Sequence, residues 1–273
     1  MPSSSNEYSI TRYDSGEFVE KMDHVAAEEP LEIRVEGTSV AIVMRTPGHD
    51  EELTAGFLLS EGIITSRADV FEISQCPSQP GQQGNVIDVL LTDSTKLDLE
   101  KLSRNVFTSS SCGICGKATI ESVFQQFPPV VSEHMVAPVD LLTFPDRIRA
   151  AQRTFDKTGG LHASAVFDAQ GEIVVLREDV GRHNALDKVI GHALMNDLLP
   201  LAKHSLMLSG RISFELMQKA LSAGIPIVAG ISAPSSLAVE FARESGQALA
   251  GFLRGETMNI YAGTHRISAV EKA

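Results

Sequence analysis

Two cysteines three positions apart are the residues of this sequence with the clearest capacity for covalent chemistry. Cys112 and Cys115 form a Cys-x-x-Cys pair within a stretch rich in serine and glycine, residues 109–117. Thiolates at this spacing bind zinc, form redox-active dithiols or accept sulfur from a donor. Only one further cysteine, Cys76, is present, and so sparse a count does not suit a secreted disulfide scaffold. We therefore expect reduced thiols.

Four interpretations of the pair remain open on the residues alone. A closed zinc site needs four ligands, and only Cys76 and histidines without ligand-like spacing are available to complete it. A thioredoxin-like dithiol favours an aromatic residue or a proline beside the pair, whereas serine, glycine and isoleucine surround this one. Two incidental thiols in such a loop would be open to oxidation. The fourth interpretation is a sulfur relay, in which a thiolate accepts a sulfane sulfur and passes it on.

The sulfur relay fits the local chemistry best. A position at the start of a predicted helix, beside Lys117, lowers the pKa of a cysteine and favours the thiolate near neutral pH. Gly113 and Gly116 remove side-chain bulk and permit unusual backbone angles. We therefore predict a loop that moves between a sulfur donor and an acceptor.

The apolar pattern predicts the elements that position these residues. In the first half it predicts a hairpin over 31–35 and 40–44, a helix with Asp50 as its N-cap, and strands over 70–74 and 86–91. In the second half it predicts a helix over 141–155, a hairpin over 161–176, and a helix from Asn184. Two buried strands follow, 205–209 and 225–231, each with its own helix, and then a final strand pair over 248–261. The predicted fold class is α/β, with an α+β N-terminal part.

Composition excludes several classes of protein. The chain has 273 residues, 43% of them hydrophobic, which is enough for a packed core and argues against a disordered or fibrous chain. Its net charge of −12 disfavours general binding of nucleic acid or of an anionic membrane surface. The sequence contains neither a secretory signal nor an apolar run long enough to span a membrane. We expect a soluble, cytoplasmic protein.

The sequence resembles the FdhD family, accessory proteins of formate dehydrogenase, over residues 32–261. The resemblance rests on five blocks taken together, namely residues 111–117, 158–163, 177–188, 209–211 and 252–255. It implies a sulfurtransferase that takes persulfide sulfur from a cysteine desulfurase and delivers it to the molybdenum cofactor of formate dehydrogenase. That cofactor is bis(molybdopterin guanine dinucleotide), for which a guanine nucleotide such as GDP is a mimic. No structural metal is implied.

The resemblance also assigns residues. Cys112 matches the cysteine that carries the persulfide, and Cys115 is its partner. The stretch that binds the cofactor matches Phe252, Leu253, Arg254, Gly255, Glu256 and Thr257. The motif blocks add Arg182, His183, Ser209, Gly210 and Arg211.

Binding a pyrophosphate to so acidic a chain requires local positive charge. Arginine is suited to it because its planar fork donates two parallel hydrogen bonds to phosphate. Arg182, Arg211 and Arg254 lie in glycine-bearing turns at predicted strand ends, which converge in open α/β sheets. Alternatives stay open, because Arg182 could instead pair with Asp179 or Asp187 on the surface. The histidines of these blocks, His162 and His183, could be acid–base or structural groups, and the hydroxyl of Ser235 could bind phosphate or cap a helix.

The hairpin over 161–176 and the helix after it also resemble the opening of the cytidine-deaminase-like fold. The zinc-binding and catalytic positions of a deaminase read His183-Asn184-Ala185 and Ser209-Gly210-Arg211 here, so the zinc chemistry is absent.

We predict a disordered tail over 1–12, an N-terminal α+β domain over 13–108, a Cys-x-x-Cys loop and helix linker over 109–130, and a deaminase-like domain over 131–273. A homodimer is expected, since two-fold pairs are the commonest oligomers. The rival functions are a cofactor-binding chaperone without catalysis and a metal-dependent hydrolase.

Overall fold

The computed structural model of the protein describes residues 3–76, 84–96, 123–124 and 126–268. The strands are β1 (Ser5–Asp14), β2 (Glu17–Ala26), β3 (Glu29–Val35), β4 (Thr38–Arg45), β5 (Val70–Gln75), β6 (Val86–Leu91), β7 (His162–Phe167), β8 (Ile173–Asp179), β9 (Ser205–Leu208), β10 (Ile227–Gly230), β11 (Ala248–Arg254) and β12 (Thr257–Ala262). The helices are α1 (Asp50–Ser60), α2 (Pro138–Leu141), α3 (Phe144–Ala151), α4 (Arg153–Thr158), α5 (Arg182–Met195), α6 (Phe214–Ser222) and α7 (Ser236–Ser245). The predicted α/β fold class is confirmed. Cys112 and Cys115 lie outside the described residues.

An N-terminal hairpin replaces the predicted disordered tail. β1 and β2 pair antiparallel along their whole length, so the prediction of disorder over 1–12 is wrong for the residues of β1. The tight turn between them is formed by Ser15 and Gly16, both with positive φ, a backbone conformation that suits two-residue hairpins. The hairpin lies against α4, where Ser4 Oγ is 3.5 Å from Thr154 Oγ1.

The predicted strands of the first half form a four-stranded sheet in the order β4-β3-β6-β5. The helix α1 also forms, but Asp50 is not its N-cap. That position belongs to His49, which has a left-handed φ of 58°. The carboxylate of Asp50 instead accepts hydrogen bonds from the buried guanidinium of Arg45, at 2.8 and 3.0 Å. Asp50 is therefore used in an ion pair that joins α1 to β4.

The second half builds a six-stranded sheet in the order β12-β11-β10-β9-β7-β8. β9, β10 and β11 run parallel, whereas β7 is antiparallel to both β8 and β9. The observed order of hairpin, helix, strand, helix, strand is the one predicted from the apolar pattern. The single helix predicted over 141–155 is wrong, because α3 and α4 are separate helices divided at Gln152, whose ψ of 78° is not helical. Gly159, with φ 65°, ends α4 as predicted.

The two sheets share one hydrophobic core. Buried residues of β3 and α1, such as Leu31 and Leu58, belong to the same cluster as Val189 and Ile190 of α5. A second cluster fills the other face of the six-stranded sheet, beneath α2 and α3. The division into domains at 109–130 stays a prediction, and the core crosses it.

The backbones of α1 and α5 are in direct contact where the two halves meet. A Cβ added at Gly56 would lie 1.8 Å from the carbonyl oxygen of Asp187, and one at Gly191 would lie 1.7 Å from that of Glu52. Both distances are far below van der Waals contact. Only glycine fits at these two positions.

We expect Gly191→Ala to lower the free energy of unfolding by about 1–3 kcal/mol, because the added methyl group forces the two helices apart. Urea denaturation would measure this. The matched control is Gly160→Ala, whose added Cβ would meet its nearest neighbour at 3.6 Å and should change stability by less than about 0.5 kcal/mol. Equal stabilities of the two variants would contradict the close packing of α1 on α5.

Candidate functional site

The predicted site residues of the second half collect at one edge of the six-stranded sheet. The parallel strands β9, β10 and β11 all end there, and because β7 and β8 are antiparallel to each other, β7 begins there where β8 ends. We call this the C-terminal edge. It comprises His162, the turn 179–183, the connection 209–213, the loop 231–235 and residues 252–257. Polar groups from five strand ends thus share one side of the molecule.

Arg182 is the first residue of α5 and is partly buried. Its Nε is buried and has no hydrogen-bond partner among the described residues. No side chain from those residues caps the N-terminus of α5, whose first backbone N–H groups are therefore available to an anion. A buried donor without a partner is costly unless a ligand or water satisfies it. The start of α5 is thus suited to an acceptor such as a phosphate oxygen.

The turn that carries Arg182 is fixed by a buried ion pair that sequence reasoning missed. Lys188 Nζ lies 2.7 Å from Asp179 Oδ2, with both side chains almost fully buried. Asp179 also accepts hydrogen bonds from the backbone N–H groups of Gly181, at 2.8 Å, and Thr46, at 3.1 Å. Lys188 donates to the carbonyl oxygen of Thr46 at 2.8 Å. The N-terminal half therefore helps to shape the turn.

The alternative that Arg182 pairs with Asp179 or Asp187 is wrong. Asp179 pairs with Lys188, and Asp187 lies 3.0 Å from Lys219 Nζ in a second buried ion pair. Burial is the largest influence on the pKa of Asp187 and raises it, against the effect of Lys219. Both carboxylates are thus occupied by lysines and not by Arg182.

His183 is held by a carboxylate from the neighbouring helix. Its Nε2 lies 2.9 Å from Glu215 Oε2, in α6, and 3.3 Å from Ser213 Oγ. The hydrogen bond from His183 is the largest cause that lowers the pKa of Glu215. Glu215 was not predicted as a site residue, since nothing in its local sequence distinguishes it from an exposed helix residue.

The connection after β9 brings Gly210 against His162. A Cβ at Gly210 would lie 3.1 Å from His162 Nδ1 and 3.3 Å from its Cε1, so the ring packs on the glycine backbone. Ser209 Oγ accepts a hydrogen bond from the backbone N–H of Ala163, at 2.8 Å, and so fixes this connection to β7. Arg211, which follows, is exposed. Burial, and next the positive charge of Arg182, hold the pKa of His162 below its ordinary value.

The end of β11 carries an unusual backbone conformation. Phe252 has a φ of 56°, which costs free energy for a non-glycine residue. Its N–H donates to the carbonyl oxygen of Ser232 at 3.3 Å, and its ring lies 5.9 Å from the guanidinium carbon of Arg254. Leu253 points into the core, whereas Arg254 is exposed. The register of β11 with β12 also shifts between Gly251 and Arg254, and this bulge places an aromatic ring and an arginine side by side.

The remaining predicted residues of this stretch form the hairpin turn beyond the bulge. Gly255, with φ 53°, and Glu256 are exposed, and Thr257 Oγ1 donates to the carbonyl oxygen of Arg254 at 3.2 Å. The loop 231–235 lies between residues 252–257 and the connection after β9. It is joined to that connection by the hydrogen bond that Ile212 N donates to Ala233 O, at 3.1 Å. The positive charges of Arg182 and Arg211 both lower the pKa of His162, whereas Arg254 contacts the ring of Phe252. Ser235 caps α7, its hydroxyl accepting from Ala238 N at 3.2 Å.

The edge can therefore bind an anion next to a planar aromatic group. Arginine forks, a helix N-terminus and a glycine turn favour phosphate, and the Phe252 ring offers a stacking surface. Within the described parts of the chain, no three His, Cys, Asp or Glu side chains are placed to hold a metal ion. In the same parts, no helix combines the length and the apolar character needed to cross a membrane.

Comparisons with known proteins agree on one family. The model of the FdhD/NarQ family matches residues 26–268. The chain is 50% identical over 269 residues to the sulfur carrier protein FdhD of Streptomyces avermitilis, covering 95% of this chain and 94% of that protein. It is 42% identical to the protein of the same name from Saccharolobus solfataricus, over 95% of this chain and 97% of that one.

A solved structure extends this similarity to the fold. A protein from Desulfotalea psychrophila, described as a formate dehydrogenase accessory protein, is similar to this chain with a TM-score of 0.77. The two chains are 27% identical, and the similarity covers 96% of this chain and 99% of that one.

Proposed function

The chain belongs to the FdhD/NarQ family, and from this premise we propose that it is a sulfur carrier for formate dehydrogenase. Cys112 accepts persulfide sulfur from a cysteine desulfurase and passes it to bis(molybdopterin guanine dinucleotide), with Cys115 as its partner. The relatives named sulfur carrier protein FdhD support the carrier role, and the structural neighbour's description supports the client.

The first transfer follows ordinary thiol–persulfide exchange. The Cys112 thiolate attacks the outer sulfur of the donor's persulfide, so a new S–S bond forms as the old one breaks. The donor's cysteine leaves as a thiolate, and Cys112 then carries the outer sulfur. This sulfurtransferase activity distinguishes the proposal from a chaperone that only binds the cofactor.

The observation that carries the proposal is the C-terminal edge. The cofactor is the substrate here, and its guanine dinucleotide arms are anionic at the pyrophosphate and planar at the base. The unpaired Nε of Arg182 and the N-terminus of α5 suit the first feature. Phe252 suits the second, because its ring can stack on a guanine.

Mass spectrometry tests the transfer directly. After incubation with a cysteine desulfurase and cysteine, the peptide that contains Cys112 should gain about 32 Da for each added sulfur. Cys76, which is free and partly exposed at the end of β5, provides an internal control thiol. A gain confined to the Cys76 peptide, or none at all, would contradict the proposal.

We expect Arg182→Gln to weaken GDP binding by about 10- to 150-fold, the equivalent of one charge-assisted hydrogen bond. Arg182→Lys should lose part of that affinity, because lysine keeps the charge but not the planar fork. Isothermal titration calorimetry with GDP would measure both changes. Arg12→Gln, in the exposed hairpin, is the matched control and should bind GDP as the unaltered protein does. Unchanged affinity in both Arg182 variants would remove this residue from the binding site.

We also propose that the protein is a homodimer and that it is located in the cytoplasm. The N-terminal hairpin supports a subunit interface, since it exposes large apolar side chains, among them Tyr13 at 64% and Phe18 at 77%. Light scattering after size exclusion decides the oligomeric state, and a monomer at micromolar concentration would contradict the dimer.

A further inference from the structure

His162 is the titratable group at the C-terminal edge for which the proposed function has no role. It is the first residue of β7, and its Cα pairs with Asp179 at the end of β8. Its ring packs on the backbone of Gly210, in the connection after β9. Among the described residues, no group donates a hydrogen bond to the ring or accepts one from it. The imidazole is thus held in place by packing, with its nitrogen atoms available.

The charged groups around His162 come from every neighbouring element. Arg182 and His183 lie at the start of α5, Arg211 follows Gly210, and Asp179 ends β8. The Asp179 carboxylate is already engaged by Lys188. The carboxylate of Glu178, also on β8, accepts hydrogen bonds from the backbone N–H groups of α4 and so is committed elsewhere. Arg182 is the largest of these charges and lowers the pKa of His162, Asp179 opposes it, and His183 and then Arg211 add smaller lowering effects.

This field makes the protonation of His162 depend on what the arginines hold. In the free protein, burial and next the positive charge of Arg182 keep the pKa of His162 below its ordinary value, against the effect of Asp179, so the ring is neutral near pH 7. An anion seated on the same arginines opposes their field and adds a negative charge beside the ring. Both effects favour the imidazolium form.

We propose that His162 couples the binding of the cofactor's pyrophosphate to the uptake of one proton from solvent. The inference rests on the proposed function, because it requires an anion at the arginines of the C-terminal edge. In the bound state the imidazolium of His162 donates a hydrogen bond to a phosphate oxygen. Release of the cofactor returns the proton to solvent. Binding is therefore tighter at lower pH.

The direction of the pH dependence follows from the linkage between proton binding and ligand binding. If binding raises the pKa of His162, the complex holds more protons than the free protein between the two pKa values. The dissociation constant should then rise with pH across this interval, by less than about tenfold per pH unit. Above the interval, the ring is neutral in both states and the dependence disappears.

The test uses diguanosine 5′,5′-pyrophosphate as probe and the full chain as protein. Each phosphate of this probe carries one ester bond and one anhydride bond, so neither titrates near neutral pH, unlike the terminal phosphate of GDP. Calorimetry at several pH values between about 5.5 and 8.5, in two buffers of different ionisation enthalpy, gives the number of protons taken up. His162→Asn removes the titrating ring, and His162→Gln is a second variant should the first fail to fold. His265→Asn, exposed at the opposite edge of the sheet, is the matched control.

We expect proton uptake in the unaltered protein and in His265→Asn, and none in His162→Asn. At pH 8.5 the His162 variant should bind within about threefold of the unaltered protein. Binding without proton uptake, or equal uptake in the His162 variants, would overturn the role of His162 and leave the binding site intact. A loss of affinity that is equal at every pH would make His162 a contact residue and overturn the coupling. Absence of probe binding at any pH would instead overturn the proposed function, and the inference with it.

Discussion

Cys112→Ser should abolish activation of the client formate dehydrogenase and remove the persulfide from residues 109–117. A serine hydroxyl has nearly the size of a thiol but cannot hold a sulfane sulfur at neutral pH, because neither the nucleophile nor the S–S bond is available. Binding of GDP should be unchanged, since the groups proposed to hold it lie at the C-terminal edge. Activity of the client enzyme, matured with each variant, is the measurement.

Cys76→Ser is the matched control for that experiment. Cys76 is a free thiol in the same chain, and its backbone N–H donates to Val86 O at 2.9 Å, a bond that the substitution preserves. This variant should activate the client as the unaltered protein does. If Cys112→Ser still activates the client fully, a binding chaperone is the better description and the sulfur relay is wrong.

Asp179→Ala should destabilise the protein by about 3–5 kcal/mol, the usual cost of leaving one member of a buried ion pair without its partner. The substitution leaves Lys188 buried and also removes the acceptor for the backbone N–H groups of Gly181 and Thr46. Because these bonds shape the turn that carries Arg182, affinity for GDP should fall as well. Chemical denaturation and calorimetry would measure the two effects.

Two further variants separate the ion pair from a general loss of charge. Asp156→Ala removes an exposed carboxylate that pairs with Arg149 and should cost no more than about 1 kcal/mol. The double variant Asp179→Ala, Lys188→Met should recover part of the lost stability, because no unpaired charge is then buried. A double variant less stable than Asp179→Ala alone would mean that the pair is not the source of the effect.

Much of the fold is predictable because its signals are local. The strands around Gly37, the helix α5 and the alternation of buried strands with helices all follow from apolar periodicity. The turns of Arg182 and Arg211 are predictable too, because glycine marks them and the order of elements places them at strand ends. The N-terminal hairpin was missed because both its faces are largely exposed, so it has no buried face to produce an amphipathic pattern.

The polar interior could not be predicted from the sequence. Asp50 has the position of an N-cap, but a buried arginine on the preceding strand takes its carboxylate. Lys188 and Lys219 look like exposed helix residues. The packing of α5 on β8 brings Lys188 to Asp179, and the packing of α6 on α5 brings Lys219 to Asp187. Glu215 reaches His183 for the same reason. Each pairing joins side chains from two different secondary-structure elements, and the apolar pattern within one element does not predict it.

The glycine contact between α1 and α5 also determines how the molecule can move. Where two helices touch through their main chains, no layer of side chains lies between them that could rearrange to permit movement. Sliding or hinge opening of the first sheet against the second would break this contact and two ion pairs that join the halves, Glu52 with Arg177 and Glu61 with Lys219. The two sheets are therefore expected to move as one rigid unit. A sulfur carried on Cys112 would have to move to the C-terminal edge, because the edge would not move to the sulfur.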